Sequence, residues 1–161
     1  MIEKNEGVRS IVIFSGDLDR LMAGINIAIA AVSMGLPVNM YFTFWGLNAL
    51  RKENFNTKGY GLFEKLMAIM MPAGPKKLTL SKLNMGGLGT WMMKKQMKIK
   101  QITMLPELIK IAQEAGVRFI GCQMTMNMMG IKRDALIDGL HFTGVAGYLG
   151  EAEKSHFNLF I

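Results

Sequence analysis

The chain is poor in the residues that most reactions need. Its 161 residues include one cysteine, Cys122, and two histidines. No internal disulfide can form and no CxxC pair exists, so a disulfide-stapled fold is excluded and a reducing, cytoplasmic setting is expected. No HxxxH pair, cysteine cluster or carboxylate pair offers a metal site, and neither a metal nor another cofactor is called for. There is no GxSxG elbow for a serine nucleophile and no GxxxxGK[ST] loop for a nucleotide. Ser15-Gly16-Asp17 lacks the GxGxxG spacing, and Asp17 would repel phosphate. His141 and His156 read as structural residues rather than bases. The first ten residues, MIEKNEGVRS, have no apolar core of the kind a signal peptide carries. The richest apolar run, residues 21–36, falls short of the ~20 residues of a membrane span and contains Asn26 and Ser33.

A further absence is local. Residues 66–103 contain no Asp or Glu but hold seven lysines (76, 77, 82, 94, 95, 98 and 100) and seven methionines. The net charge of +7 is therefore concentrated there. Such a segment could attract an acidic partner, an anionic substrate or a membrane surface. It has only Trp91 to stack on a base, so nucleic-acid binding is not expected. A solvated basic face with methionine as filler in an oligomer interface is the plainer alternative.

What the chain does have is hydrophobic: half its residues are apolar and 19% are charged, enough for one globular domain with a real core. Residues 10–14 are an apolar run that reads as a buried parallel strand, and Pro37 opens a second strand over 38–43. Between them, residues 18–34 read as a helix capped by Asp17 and closed by Gly35. A short helix follows to about residue 52, then a polar loop over 54–61. Residues 63–71 and 91–98 read as helices, the second capped by Thr90 after a glycine hinge at 86–89. Pro106 opens a helix over 107–115. A strand over 117–120, ended by Gly121, delivers Cys122 to the start of a Met-rich helix ending at Met129. Residues 132–137 read as a helical turn, 139–142 as a fourth strand, 144–152 as a helix and 157–161 as a fifth strand. Strands alternating with helices give a three-layer α/β/α sandwich with a five-stranded parallel sheet.

The thiol at the carboxyl end of a strand sits where open α/β sheets place their active groups. A free thiol, with a pKa near 8.5, is only about 3% thiolate at neutral pH, so any group that favours the anion raises reactivity. A nucleophile without an evident base suits a carrier better than a hydrolase.

Four stretches carry a resemblance: Phe42-Thr43-Phe44-Trp45-Gly46-Leu47-Asn48, Met71-Pro72-Ala73-Gly74-Pro75, Ser81-Lys82-Leu83-Asn84-Met85-Gly86-Gly87 and Gly121-Cys122-Gln123-Met124-Thr125-Met126-Asn127. In order and content the chain resembles the DsrE/DsrF/DsrH-like proteins, in the branch with a basic Met-rich insertion, which would make residues 1–161 a single DsrE-like domain with the insertion at about 66–103. Strand spacing alone leaves open the order 2-1-3-4-5; the resemblance implies 4-3-2-1-5. It also implies sulfur relay, with Cys122 carrying sulfur as a persulfide or thiosulfonate and handing it to TusA-like or rhodanese-like partners. It implies a homo-oligomer, a trimer or larger. On that reading the N–H groups of Gln123 and Met124 steady the anion, and Thr43, Trp45 and Asn48 wall the pocket. With no second cysteine, a relay between two cysteines of one chain is excluded. The competing expectation is a non-catalytic binding or assembly subunit that docks through the Met-Lys insertion, with Cys122 as packing.

Overall fold

The computed structural model describes residues 7–54 and 61–161. Most of the polar loop expected over 54–61 lies outside the described residues, as do the first six residues. Five strands, β1 (Val8–Ile13), β2 (Val38–Phe42), β3 (Arg118–Cys122), β4 (His141–Thr143) and β5 (Ser155–Phe160), form one parallel sheet in the order β4-β3-β2-β1-β5. Among the described residues six α-helices accompany them: α1 (Leu18–Ser33), α2 (Leu62–Met70), α3 (Leu88–Ile99), α4 (Leu105–Glu114), α5 (Gln123–Met129) and α6 (Val145–Ala152).

The pleat separates the strands into two sets of side chains. Ile11, Ile13, Met40, Phe42 and Phe119 point to one face, where α1 brings Leu18, Leu21, Ile25 and Ala28, and α4 brings Leu105, Leu108, Ile109 and Ala112. Each fully buried Leu or Ile contributes about 1.5–3 kcal/mol. Gly24 lets α1 approach the sheet: a Cβ there would sit 2.7 Å from Ile13 Cδ1. Gly35, at φ 77, turns the chain off α1 as the Leu36 N–H returns to Ala31 O (3.0 Å). The opposite face is smaller and more polar. Val12, Tyr41, Ile120 and Cys122 form its cluster, with Tyr148 of α6 packed against them.

Three local readings change. Asp17 occupies the residue before α1, but its carboxylate caps nothing; it accepts a hydrogen bond from Ser15 Oγ (2.8 Å), while its own N–H donates back to that oxygen (3.1 Å). Thr90 does not cap α3, because the helix begins at Leu88. Thr90 is instead buried inside α3, accepting the Leu80 N–H (2.9 Å) and donating to Asn84 Oδ1 (2.7 Å), which fastens the preceding loop to the helix. Gly121 does not end β3; the ladder continues through Cys122, which pairs with Thr143.

Candidate functional site

Cys122 is the last residue of β3 and the residue before α5. In register terms Phe42 lies beside Gly121, so the chain leaving β2 carries Thr43 alongside Cys122. Thr125 arrives from the first turn of α5, three residues after the cysteine. Its hydroxyl meets that of Thr43 (3.0 Å) and accepts the Phe44 N–H (3.1 Å). With one lone pair taken by that N–H, the Thr125 proton is free for Thr43 or the sulfur. Phe44 adopts a left-handed backbone (φ 45), a strained state for a bulky residue, as the chain turns off β2.

Tyr41 reaches the thiol from the neighbouring strand. It is 3% exposed, and its hydroxyl has no geometrically formed hydrogen bond among the described residues. Its ring stacks on Tyr148 of α6 at 4.6 Å. Burial pushes the Tyr41 hydroxyl up, as does its proximity to Cys122, so it stays protonated and able to donate. The thiol itself feels opposing influences. Burial raises it, but the Thr125 hydroxyl, the Tyr41 hydroxyl, the Thr125 N–H and the Thr43 hydroxyl together outweigh burial and bring Cys122 below its ordinary value. For all four of these groups the neutral thiol shows proximity without a formed hydrogen bond. Their effect is felt when the sulfur becomes an anion and draws the donors in.

The thiol is 0% exposed. On its side of the sheet lies a cavity of about 450 Å³, lined by Tyr41, Thr43, Phe44, Met124, Tyr148 and Phe160 among others. None of the lining side chains is charged. Cys122 itself does not line this cavity, but its neighbours Tyr41 and Thr43 do.

Of the residues expected to surround the thiol, Thr43 lies beside it and Met124, half-exposed, lines the cavity. Gln123 is exposed and does not line it. The N–H that favours the anion belongs to Thr125, not to Gln123 or Met124. Trp45 and Asn48 are elsewhere: both line a separate cleft of about 280 Å³ with Ser15, Asp17, Arg20 and Thr79. The reason is the 3-10 turn Phe44–Leu50, whose start is held over the end of β1 while Leu47 packs towards Gly121 of β3. Gly46 N–H donates to Phe14 O (2.9 Å), and a Cβ on Gly46 would collide with Ile13 O. Asn48 is buried beneath the turn, its side-chain oxygen accepting from Arg51 (3.3 Å) and its backbone oxygen from Gly74 N–H (3.0 Å). The MPAGP stretch thus braces the FTFWGLN stretch. Tyr41 and Tyr148 lie outside the expected set, and Thr125 belongs to the stretch that carries the resemblance without a role assigned to it there. Strand alternation, which puts Tyr41 on the face of Thr43, and the Cys-x-x-Thr spacing were the available signals. Both histidines are exposed and neither lines the cavity.

Comparison with known proteins bears on the family and the fold. The sequence model of the DsrE/DsrF/DrsH-like family matches residues 5–160. The chain is 45% identical over 152 residues to the uncharacterized protein YrkE of Bacillus subtilis (strain 168), covering 94% of this chain and 95% of that protein. It is 33% identical over 157 residues to the sulfur carrier protein DsrE2 of Allochromatium vinosum, covering 94% and 96% respectively. Among solved structures, the ychN protein from E. coli superposes with a TM-score of 0.57 over 95% of this chain and 98% of that one. At 12% identity that likeness concerns the fold alone.

Proposed function

The chain belongs to the DsrE/DsrF/DrsH-like family, and from that premise we propose that it works in sulfur relay with Cys122 as the residue that holds the sulfur. The observation that carries this reading is the convergence of three hydroxyls and one N–H on a single thiol, held below its ordinary pKa despite complete burial. The sulfur-carrier function of the relative from Allochromatium vinosum supports the same direction.

In the first step the Cys122 thiolate attacks the outer sulfur of a donor persulfide. The donor's S–S bond breaks, a new Cys122–S–S bond forms, and the donor leaves as a thiolate. The outer sulfur keeps its proton or gives it to that leaving thiolate. In the second step an acceptor thiolate attacks the outer sulfur, takes it, and returns Cys122 as a thiolate. No external oxidant or reductant enters. Thr125, Thr43 and Tyr41 stabilise the cysteine anion at the start of the cycle and again at its end. A thiosulfonate would be handled by the same displacement, but its sulfonate would meet a cavity without a cationic side chain, so a persulfide is the better fit.

The acceptor or donor is a TusA-like or rhodanese-like protein, and the compartment is the reducing cytoplasm. Among the described residues no helix is long and apolar enough to cross a membrane. The chain acts as a homo-oligomer of three or more copies, a reading supported by the exposed Phe157 and Phe160 on the edge strand β5 and by Val145 and Leu149 on α6. Thr43 and Met124, which line the cavity, serve as substrate contacts, while Gln123, exposed outside the cavity, would meet only a protein partner. Trp45 and Asn48, in their separate cleft, would act only on a long donor or a protein partner. Transfer to a TusA-like carrier tests the reading: preloaded protein should raise the carrier's mass by one sulfur atom, and preloading Cys122→Ser should give none. A transfer independent of Cys122 would overturn it.

The full burial of Cys122 favours one second reading, a binding subunit whose thiol only packs. In that case Cys122→Ala leaves partner capture intact and no donor loads the natural chain.

A further inference from the structure

Helix α3 presents its apolar side chains outward. Thr90 and Met97 are buried against the domain. At 100° per residue, Leu88, Met92 and Ile99 fall on the opposite side of the helix. They are 52%, 57% and 64% exposed. The loop before α3 continues the pattern: Leu83 and Met85, both in left-handed backbone (φ 57 and 45), are 79% and 73% exposed. A groove of about 620 Å³ joins them to Met92 and Met93.

Apart from Asp19, whose carboxylate accepts from the Ser81 N–H and hydroxyl, the rim of this surface is cationic. Lys95 and Lys98 flank the outward stripe together with Trp91, over whose ring the Lys95 ammonium lies at 5.2 Å. Lys82 and Lys100 are exposed beside it. None of these four lysines has an ion pair among the described residues. Lys94 is different: its ammonium donates to the carbonyls of Lys76 (2.8 Å) and Leu78 (2.9 Å) and holds α3 to the preceding loop.

We propose that this face of α3 docks on the surface of an anionic lipid bilayer, with Leu88, Met92 and Ile99 in the acyl boundary and the lysines at the headgroups. Two other occupants fit less well. A second copy would set the same unneutralised lysines against one another. An acidic protein would satisfy the charge, but protein interfaces favour arginine and are depleted in lysine. Here every basic residue from 66 to 103 is lysine, whose long stem lets the ammonium reach the headgroups while the helix lies deeper. The proposal does not rest on the sulfur chemistry of Cys122. It would bring the carrier to a donor or acceptor at the membrane.

The test is co-sedimentation of the full chain with phosphatidylcholine vesicles made with or without phosphatidylglycerol, at low and high salt. Emission of Trp91 is read in parallel on a Trp45→Phe background. Binding should need phosphatidylglycerol, fall with salt, and shift Trp91 emission to the blue. The exposed triple variant L88Q/M92Q/I99Q should abolish the blue shift. K95E/K98E should weaken binding at least about tenfold. Cys122→Ser should bind like the natural chain, which separates this result from the sulfur-carrier reading. No binding to anionic vesicles, or undiminished binding by both variants, overturns the proposal. Binding without a blue shift, matched by polyglutamate, would assign the surface to an acidic macromolecule and also overturn it.

Discussion

The two faces of the sheet are built from alternate residues of the same strands, yet they do different work. On one, Ile11, Ile13, Met40, Phe42 and Phe119 meet the long helices α1 and α4 in the main core. On the other, Val12, Tyr41, Ile120 and Cys122 meet little more than Tyr148 of α6, a helix with no buried residue. The first face supplies stability. The second can tolerate a buried hydroxyl with no formed partner because the first has already fixed the strands. The comparison shows how a one-residue alternation separates folding from chemistry: Tyr41 and Cys122 serve the site, while Met40, Phe42 and Gly121 beside them serve the core.

The comparison breaks most visibly in stability. Phe119→Ala should cost about 3–5 kcal/mol, measured by urea denaturation. Tyr148→Ala, across the sheet on a half-exposed helix, should cost less than half of that. Equal losses would mean that the second face is as much a core as the first.

Reactivity should run the other way. Thr125→Val removes a hydroxyl that favours the thiolate and should slow alkylation of Cys122 at neutral pH roughly tenfold, since a hydrogen bond to an anion is worth about 1.5–3 kcal/mol. It also strands the Phe44 N–H, so a stability loss of about 1–3 kcal/mol should accompany it. Tyr41→Phe sharpens the contrast. Alkylation should slow several-fold, while stability holds or rises by up to about 1 kcal/mol, because a buried hydroxyl without a formed partner is removed. A Tyr41→Phe variant that loses stability and keeps its reactivity would show that the hydroxyl is structural.

The smallest effect is on pH. The folded thiol is below its unfolded value because hydrogen-bond donors outweigh burial. Its contribution to stability is therefore fully present above the unfolded pKa and is lost as pH falls through the folded one. Natural protein should gain stability relative to Cys122→Ser as pH rises across that window; a gap that narrows with rising pH would reverse the sign.

The inner strands and their separation by helices were legible because they are rich in apolar and β-branched residues between turn signals, and the position of Cys122 at a strand end followed from the same pattern. The site was harder. Tyr41 and Thr125 come together only through the register of β2 on β3 and the first turn of α5, which no single stretch of sequence contains. Trp45 and Asn48 are close to Thr43 in sequence, but a 3-10 turn after Thr43 carries them over β1. Thr90 looked like a cap because it follows glycines, whereas the helix starts before it and uses its hydroxyl to tie a loop.

The central claim is that Cys122 takes up sulfur reversibly. Intact-mass spectrometry of the natural chain and of Cys122→Ser, before and after polysulfide and tetrathionate, tests it most directly. The account predicts a gain of sulfur with polysulfide on the natural chain alone, removed by a reducing thiol. No gain with either donor, or an equal gain on Cys122→Ser, would contradict it.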